Sequence, residues 1–187
     1  MPGAIVKRGE RVTLRTLERE DIDVLQRGAA DPEIRHLTGN AAARNRADVA
    51  ETYEDDDVTV MVVCTDDSGD PGPVDVEDVR RIGIVNVAEY GRAPRLGIWL
   101  DPDVHGEGHG TEAGTLLLEY VFQSFDTPVV RAKAFEHNDA SQGLLESVGF
   151  QQEGRLRRDA FLDGEYRDGL MYGLLRDEWE RATAPAE

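Results

Sequence analysis

The sequence predicts an α/β (α+β) domain built on a mixed, mostly antiparallel seven-stranded sheet with helices on both faces. Three observations predict it. Apolar, β-branched runs alternate with segments of helical period. Most of the runs are joined by short turns rich in Gly, Pro and Asp. One long connection, Leu100 to Val129, contains a single helical segment and so predicts a crossover between parallel neighbours. The 187 residues, 40% of them hydrophobic, suit one compact domain spanning residues 1–187.

The elements follow in chain order. Arg11–Leu17 alternates Val12, Leu14 and Thr16 with Thr13 and Arg15, a strand pattern. Glu18–Ala30 carries Ile22, Leu25 and Ala29 at helical spacing, and Asp31-Pro32 predicts its end. A second helix is predicted from Arg46 to Asp55, then a strand over Val58–Thr65. Arg81–Tyr90 and Arg95–Leu100 read as a hairpin turning at Gly91-Arg92-Ala93-Pro94. A helix over Thr111–Gln123 has Ala113, Leu116, Leu117, Tyr120 and Val121 on its apolar face. Val129–Phe135 is the next strand and Asp139–Val148 a short helix, with Gly149 placed for a left-handed cap. Phe150–Phe161 and Tyr166–Leu174 form a final hairpin around Asp163-Gly164, a strong turn signal.

Composition excludes several classes of function. With 38 acids against 21 bases the formal charge is −17, which argues against binding nucleic acid through its phosphates. Acids spread along the whole chain indicate a heavily solvated surface of the kind that suits high salt, and the same field draws in cationic substrates. Under the first explanation the unfolding midpoint, followed by thermal melting from low to molar salt, rises; a flat response removes it. No apolar run approaches the ~18 residues of a membrane span, and the opening Met1–Arg8 is too short in its apolar part for a signal peptide, so a cytoplasmic location is expected. Cys64 lies in an apolar run and reads as a buried, inert thiol. The Asp-rich segment Asp66–Asp78 resembles a calcium loop only at its start, because Pro71 follows Asp70 where Gly is needed, so a solvated loop is expected.

The segment Gly97-Ile98-Trp99-Leu100-Asp101-Pro102-Asp103-Val104-His105-Gly106-Glu107-Gly108-His109-Gly110-Thr111 carries the chemistry. An apolar strand runs into a turn with three alternate glycines, and a helix begins at once. Glycines let the backbone gather several N–H groups on one point, and a helix start adds unpaired donors with partial positive charge. That combination seats a phosphate on backbone alone. No Gly-Lys-Ser/Thr follows, so it is not a Walker loop, and the preceding strand belongs to a hairpin, which makes a dinucleotide fingerprint poor. His105, Glu107 and His109 invite a zinc reading, but the interleaved glycines disfavour the helix that would bring histidines four apart onto one face; no metal is expected.

At these residues the chain resembles the GNAT acetyltransferase superfamily, and within it the RimJ/RimL-type branch of ribosomal-protein N-terminal acetyltransferases. The superfamily signature Arg/Gln-x-x-Gly-x-Gly/Ala reads here His105-Gly-Glu-Gly108-His-Gly110, with His105 in place of Arg or Gln. Asn138-Asp139-Ala140-Ser141, Leu145–Phe150 and Glu153-Gly154 are similar to a second motif of the branch, and Asp163–Trp179 to its closing hairpin. The resemblance implies a sheet splayed between its fourth and fifth strands, Arg95–Leu100 and Val129–Phe135. It implies acetyl-CoA as co-substrate, with the diphosphate on His105, Gly106, Gly108, His109, Gly110 and Thr111. The pantetheine arm would lie beside the backbone near Trp99–Val104, including Leu100 and Val104, held from the other side by Asn138 and Ser141. Asn138 and Ser141 are also good helix caps, and the two roles are compatible.

The implied reaction moves an acetyl group onto a primary amine, which needs a proton acceptor, a donor to the carbonyl oxygen and a proton for the leaving sulfur. Ser141 matches the branch's proton donor. Where the branch has Glu-Ile-Gly-Tyr-Trp-Leu this chain has Arg95-Leu96-Gly97-Ile98-Trp99-Leu100, so the usual acid is replaced by a cation. Glu89, across the turn, is the preferred substitute base, with Glu136 and His137 as others. An α-amine has pKa about 8 and a lysine-like amine about 10.4, so a site short of an acid favours protein or peptide N-termini or a weakly basic small-molecule amine. The alternatives are a small-molecule amine acceptor (antibiotic, polyamine or amino sugar) and a non-catalytic acyl-CoA-binding module. Relatives are often dimers, so a homodimer is among the expectations.

Overall fold

The computed structural model describes residues 3–184 apart from 41, 43, 54–55, 67–78 and 90–92. The Asp-rich loop from residue 67 to 78 and half of the turn expected at Gly91-Arg92-Ala93-Pro94 lie outside the described residues. One mixed sheet contains eight strands: β1 (Ile5–Arg8), β2 (Thr13–Thr16), β3 (Val58–Asp66), β4 (Val79–Ala88), β5 (Arg95–Leu100), β6 (Val129–Phe135), β7 (Gln151–Leu162) and β8 (Glu165–Leu175). Their order is β1-β2-β3-β4-β5-β6-β8-β7, with β5 and β6 parallel and every other pair antiparallel.

The count of seven strands is corrected to eight by β1, whose four residues pair with β2 and are too few to show an alternation. The last hairpin also enters in reverse order. Strand β8 pairs with β6, and β7 becomes the outer edge.

The described helices are α1 (Ile22–Ala30), α2 (Pro32–Thr38), α3 (Arg46–Tyr53), α4 (His109–Ser124), α5 (Asp139–Ser147) and α6 (Arg176–Thr183). Asp31-Pro32 does end α1, but it also starts α2. The Asp31 carboxylate accepts from the N–H groups of Glu33 (2.9 Å) and Ile34 (3.0 Å), and Pro32 occupies the first helical position, where its missing N–H costs nothing. Helix α6 was not predicted; Glu178 accepts from the Leu175 N–H at 3.0 Å, and Trp179 stacks on Phe122.

Helices cover both faces, each with its own core. Leu116, Leu117 and Val121 of α4 and Leu145 of α5 pack on Val85, Val87, Leu100, Val130, Ala132 and Tyr172. On the other face Val24 and Leu25 of α1 and Val49 of α3 meet Val62, Cys64 and Ile84. Burial of each such side chain contributes about 1.5–3 kcal/mol. Cys64 is fully buried, as its apolar run suggested. None of the described helices is long and apolar enough to cross a membrane.

Candidate active site

The sheet opens where the resemblance placed the splay. Strands β5 and β6 share only the pairs Arg95↔Arg131 and Leu96↔Ala132, so beyond Leu96 they diverge. Hydrogen-bond parity then decides which groups face the gap. The Asp101 N–H donates to the Ile82 carbonyl (2.7 Å), so Trp99 and Gly97 direct their backbone groups toward β4 and Leu96, Ile98 and Leu100 direct theirs toward β6. The Leu100 carbonyl already accepts from His105 Nε2 at 3.1 Å. The gap edge therefore presents the Leu100 N–H and both backbone groups of Ile98. Trp99, named from sequence, instead turns its ring onto Gly28 of α1, while Ile98 was missed because sequence does not fix ladder parity.

At the end of β5 the chain makes a single 3-10 turn, Pro102–Val104, with Val104 buried. It then passes through two left-handed glycines, Gly106 (φ +80°) and Gly108 (φ +86°), into α4. No side chain caps α4, and Gly108 occupies the capping position, so its opening N–H groups at His109, Gly110 and Thr111 have no intrahelical acceptor. A Cβ at Gly106 would meet nothing within 4 Å, which leaves room beside the turn. Gly110 serves packing, since a Cβ there would lie 2.8 Å from Leu144 of α5. His109 Nδ1 is 3.6 Å from the Glu107 carboxylate, and Thr111 Oγ1 is 3.4 Å from Ser147 Oγ. A left-handed turn, an uncapped helix start and a free strand edge fit a diphosphate followed by an amide-bearing arm.

Arg11 was not identified from sequence. Its Nη1 donates to the Glu107 carbonyl at 2.9 Å, and its own N–H is held by Glu112 Oε1 at 2.9 Å. The β1–β2 turn is thereby fastened to the phosphate turn.

Across the gap, α5 starts directly after β6. The Asn138 Oδ1 accepts from the Ser141 N–H (2.9 Å) and its Nδ2 donates to the Leu37 carbonyl (3.0 Å), so one buried carboxamide caps α5 and ties it to α2. Ser141 is half-buried in the first turn. Asn138→Ala removes a cap worth about 1 kcal/mol and strips the Leu37 carbonyl of its partner. A stability loss of about 2 kcal/mol is expected in urea unfolding; a loss within error would mean the carboxamide holds neither helix.

The other proton-transfer candidates separate clearly. Glu136 is committed: its Oε1 accepts from the Asp168 N–H (3.1 Å) and its Oε2 pairs with Arg155. Asp168 belongs to the same network and sits below the ordinary carboxylate range, first because the Arg158 N–H donates to it (2.7 Å) and then through Arg155 (2.6 Å). His137 Nε2 faces the His36 carbonyl at 3.0 Å; a carbonyl only accepts, so Nε2 donates, and the buried Nδ1 has no hydrogen-bond partner among the described residues. His36 in turn pairs through Nδ1 with Asp163 at 2.6 Å, a contact no sequence pattern announced. Glu89 is exposed, one residue beyond the Ala88↔Arg95 pair, at the closed end of the gap. Ser141 lies past the C-terminal end of β6, so the strand pair separates the two by roughly 15 Å at about 3.3 Å per residue. Among the described residues no cluster of three or more His, Cys, Asp or Glu is positioned to hold a metal.

A parallel strand pair that parts after two rungs, with a glycine-lined helix start beyond it, is an arrangement that can hold a diphosphate and an extended amide-bearing arm such as those of coenzyme A. Residues 11–151 match the acetyltransferase (GNAT) domain family, and the chain belongs to it. It is an N-acetyltransferase, and acetyl-CoA is its co-substrate. Among relatives, the N-acetyltransferase p20 of Bacillus licheniformis is 30% identical over 180 residues, 91% of this chain and 96% of that one. The ribosomal protein uS5-alanine N-acetyltransferase of Escherichia coli K12 is 28% identical over 112 residues, 58% of each chain. As with that enzyme, the chain spans just over half the length of several curated relatives it matches. In fold it is similar to spermidine N-acetyltransferase from Vibrio cholerae in complex with CoA and spermine, with TM-score 0.78, 22% identity, and coverage of 91% of this chain and 99% of that one.

Proposed function

We propose that this enzyme acetylates the α-amine of a protein or peptide N-terminus. The observation that carries the proposal is Arg95, exposed at the first position of β5 and bordering the closed end of the gap, where the RimJ/RimL-type pattern has an acid. With no carboxylate there to accept a proton, an amine of pKa about 10.4 is harder to deprotonate than one of about 8. The uS5-alanine enzyme among the relatives supports the same acceptor class. The −17 charge favours a basic segment behind the reacting amine.

Acetyl-CoA brings an acetyl group already activated as a thioester. The chain's residues then divide the work. The turn His105–Gly110 and the start of α4 hold the diphosphate through backbone N–H groups, and the free edge of β5 at Ile98 and Leu100 aligns the arm. Glu89 takes the amine's proton by way of water, since it stands at the closed end of the gap and not beside Ser141. As the amine nitrogen bonds to the acetyl carbon and the C–S bond breaks, Ser141 Oγ–H gives a proton to the departing sulfur and its oxygen regains one from water.

Likeness to a spermidine N-acetyltransferase over nearly the whole chain favours a second reading, in which a polyamine is the acceptor. Thiol release with acetyl-CoA separates the two. Basic peptides with free N-termini are expected to exceed spermidine and amino sugars in kcat/KM by about ten-fold or more. Faster turnover of spermidine would replace the first reading with the second.

A further inference from the structure

The β1–β2 turn touches the phosphate turn at a point that bears on the cofactor. Arg11 Nη1 donates to the Glu107 carbonyl at 2.9 Å, and a Cβ placed on Gly108 would lie 2.5 Å from the same nitrogen. In a trans peptide the C=O and the following N–H point to opposite sides. A Glu107 carbonyl aimed at Arg11 therefore turns the Gly108 N–H away from the hairpin. Gly106 leaves the space beside the turn open. The tether is anchored in both directions. Glu112, in the first turn of α4, accepts from the N–H groups of Arg11 (2.9 Å) and Val12 (3.5 Å), so its carboxylate is drawn to the hairpin and not to the helix mouth, where it would compete with an anion. Among the described residues no carboxylate pairs with the Arg11 guanidinium.

We propose that Arg11 is a positioning residue for the cofactor's diphosphate: its guanidinium grips the Glu107 carbonyl and fixes the Gly108 N–H in the orientation that receives the anion. The proposal rests on the His105–Gly110 turn being the diphosphate seat. It also gives a reason for His105 standing where the superfamily signature has Arg or Gln. His105 closes the end of β5 through the Leu100 carbonyl, and the guanidinium at the turn comes from another strand pair.

The test compares two ligands that share the arm, of which only CoA carries the diphosphate and the nucleotide beyond it. CoA affinity is measured by calorimetry and pantetheine affinity by chemical-shift titration, with thermal melting as a check on folding. Arg11→Met keeps the length of the side chain and removes its donors. It is expected to raise the Kd for CoA about ten-fold while leaving that for pantetheine unchanged, and Arg11→Lys to recover part of the loss. A CoA Kd unchanged in Arg11→Met, or both constants raised alike, overturns the proposal. If Arg11→Met fails to fold, Glu112→Gln, which loosens the hold on the Arg11 N–H, is read in its place, with a rise of about three-fold for CoA alone expected. Wild-type protein that binds pantetheine but gains nothing from the phosphates of CoA removes the seat itself, a failure distinguishable from that of Arg11 alone.

Discussion

Gly108→Ala is expected to weaken CoA binding by about 100-fold, measured by calorimetry, with little change in the fold. Gly108 has φ +86°, and an L-residue held there costs about 1–2 kcal/mol. The new Cβ would also lie 2.5 Å from Arg11 Nη1. Arginine is flexible at its tip and can swing aside, but only by releasing the Glu107 carbonyl, a charge-assisted bond worth about 1.5 kcal/mol. The free variant relaxes the turn to escape both costs and CoA must restore it, so the two losses, about 3 kcal/mol together, fall on binding at a factor of ten per 1.4 kcal/mol. Gly106→Ala separates the contributions. Its φ is +80°, but a Cβ there meets nothing within 4 Å, so strain acts alone and a loss of only about ten-fold is expected. Equal, small effects at both glycines would show that the turn does not carry the diphosphate.

Ser141→Ala is expected to lower kcat by about 100-fold while acetyl-CoA KM stays within about two-fold, because a positioned proton donor acts in the transition state and not in ground-state binding. The backbone position is secure without the hydroxyl. Asn138 holds the Ser141 N–H and not its side chain, so α5 keeps its cap in the variant. Steady-state kinetics against a reactive peptide would read the split. A kcat within about three-fold of wild type would assign the sulfur's proton to solvent or to another group.

What sequence revealed and what it concealed have physical reasons. Asp163-Gly164 was legible because two successive positive φ angles, here +50° and +86°, suit few residue pairs. Gly149 was legible for the same reason, at φ +101°. The gap between β5 and β6 was legible through the family resemblance alone, because nothing in Arg95–Leu100 or Val129–Phe135 announces that pairing stops after two rungs. Helix α2 was concealed because Asp-Pro can end one helix and start the next, and only the bonds from Glu33 and Ile34 to Asp31 decide which. Arg11, His36 and Asp163 were concealed because their contacts join residues 96 or more positions apart in the chain. The preferred base, Glu89, was chosen as the acid across the turn from Arg95; the strand it was read to end stops one residue earlier, at the Ala88↔Arg95 pair.

The ties between α2 and the chain that follows β6 have a mechanical consequence. The carbonyls of His36 and Leu37, which would otherwise face solvent at the end of a short helix, are taken by His137 and Asn138. Residues 31–39 and the opening turn of α5 are thus joined in one bracket beside the C-terminal end of β6. A molecule that pushes α2 aside must also drag the Ser141 amide with it.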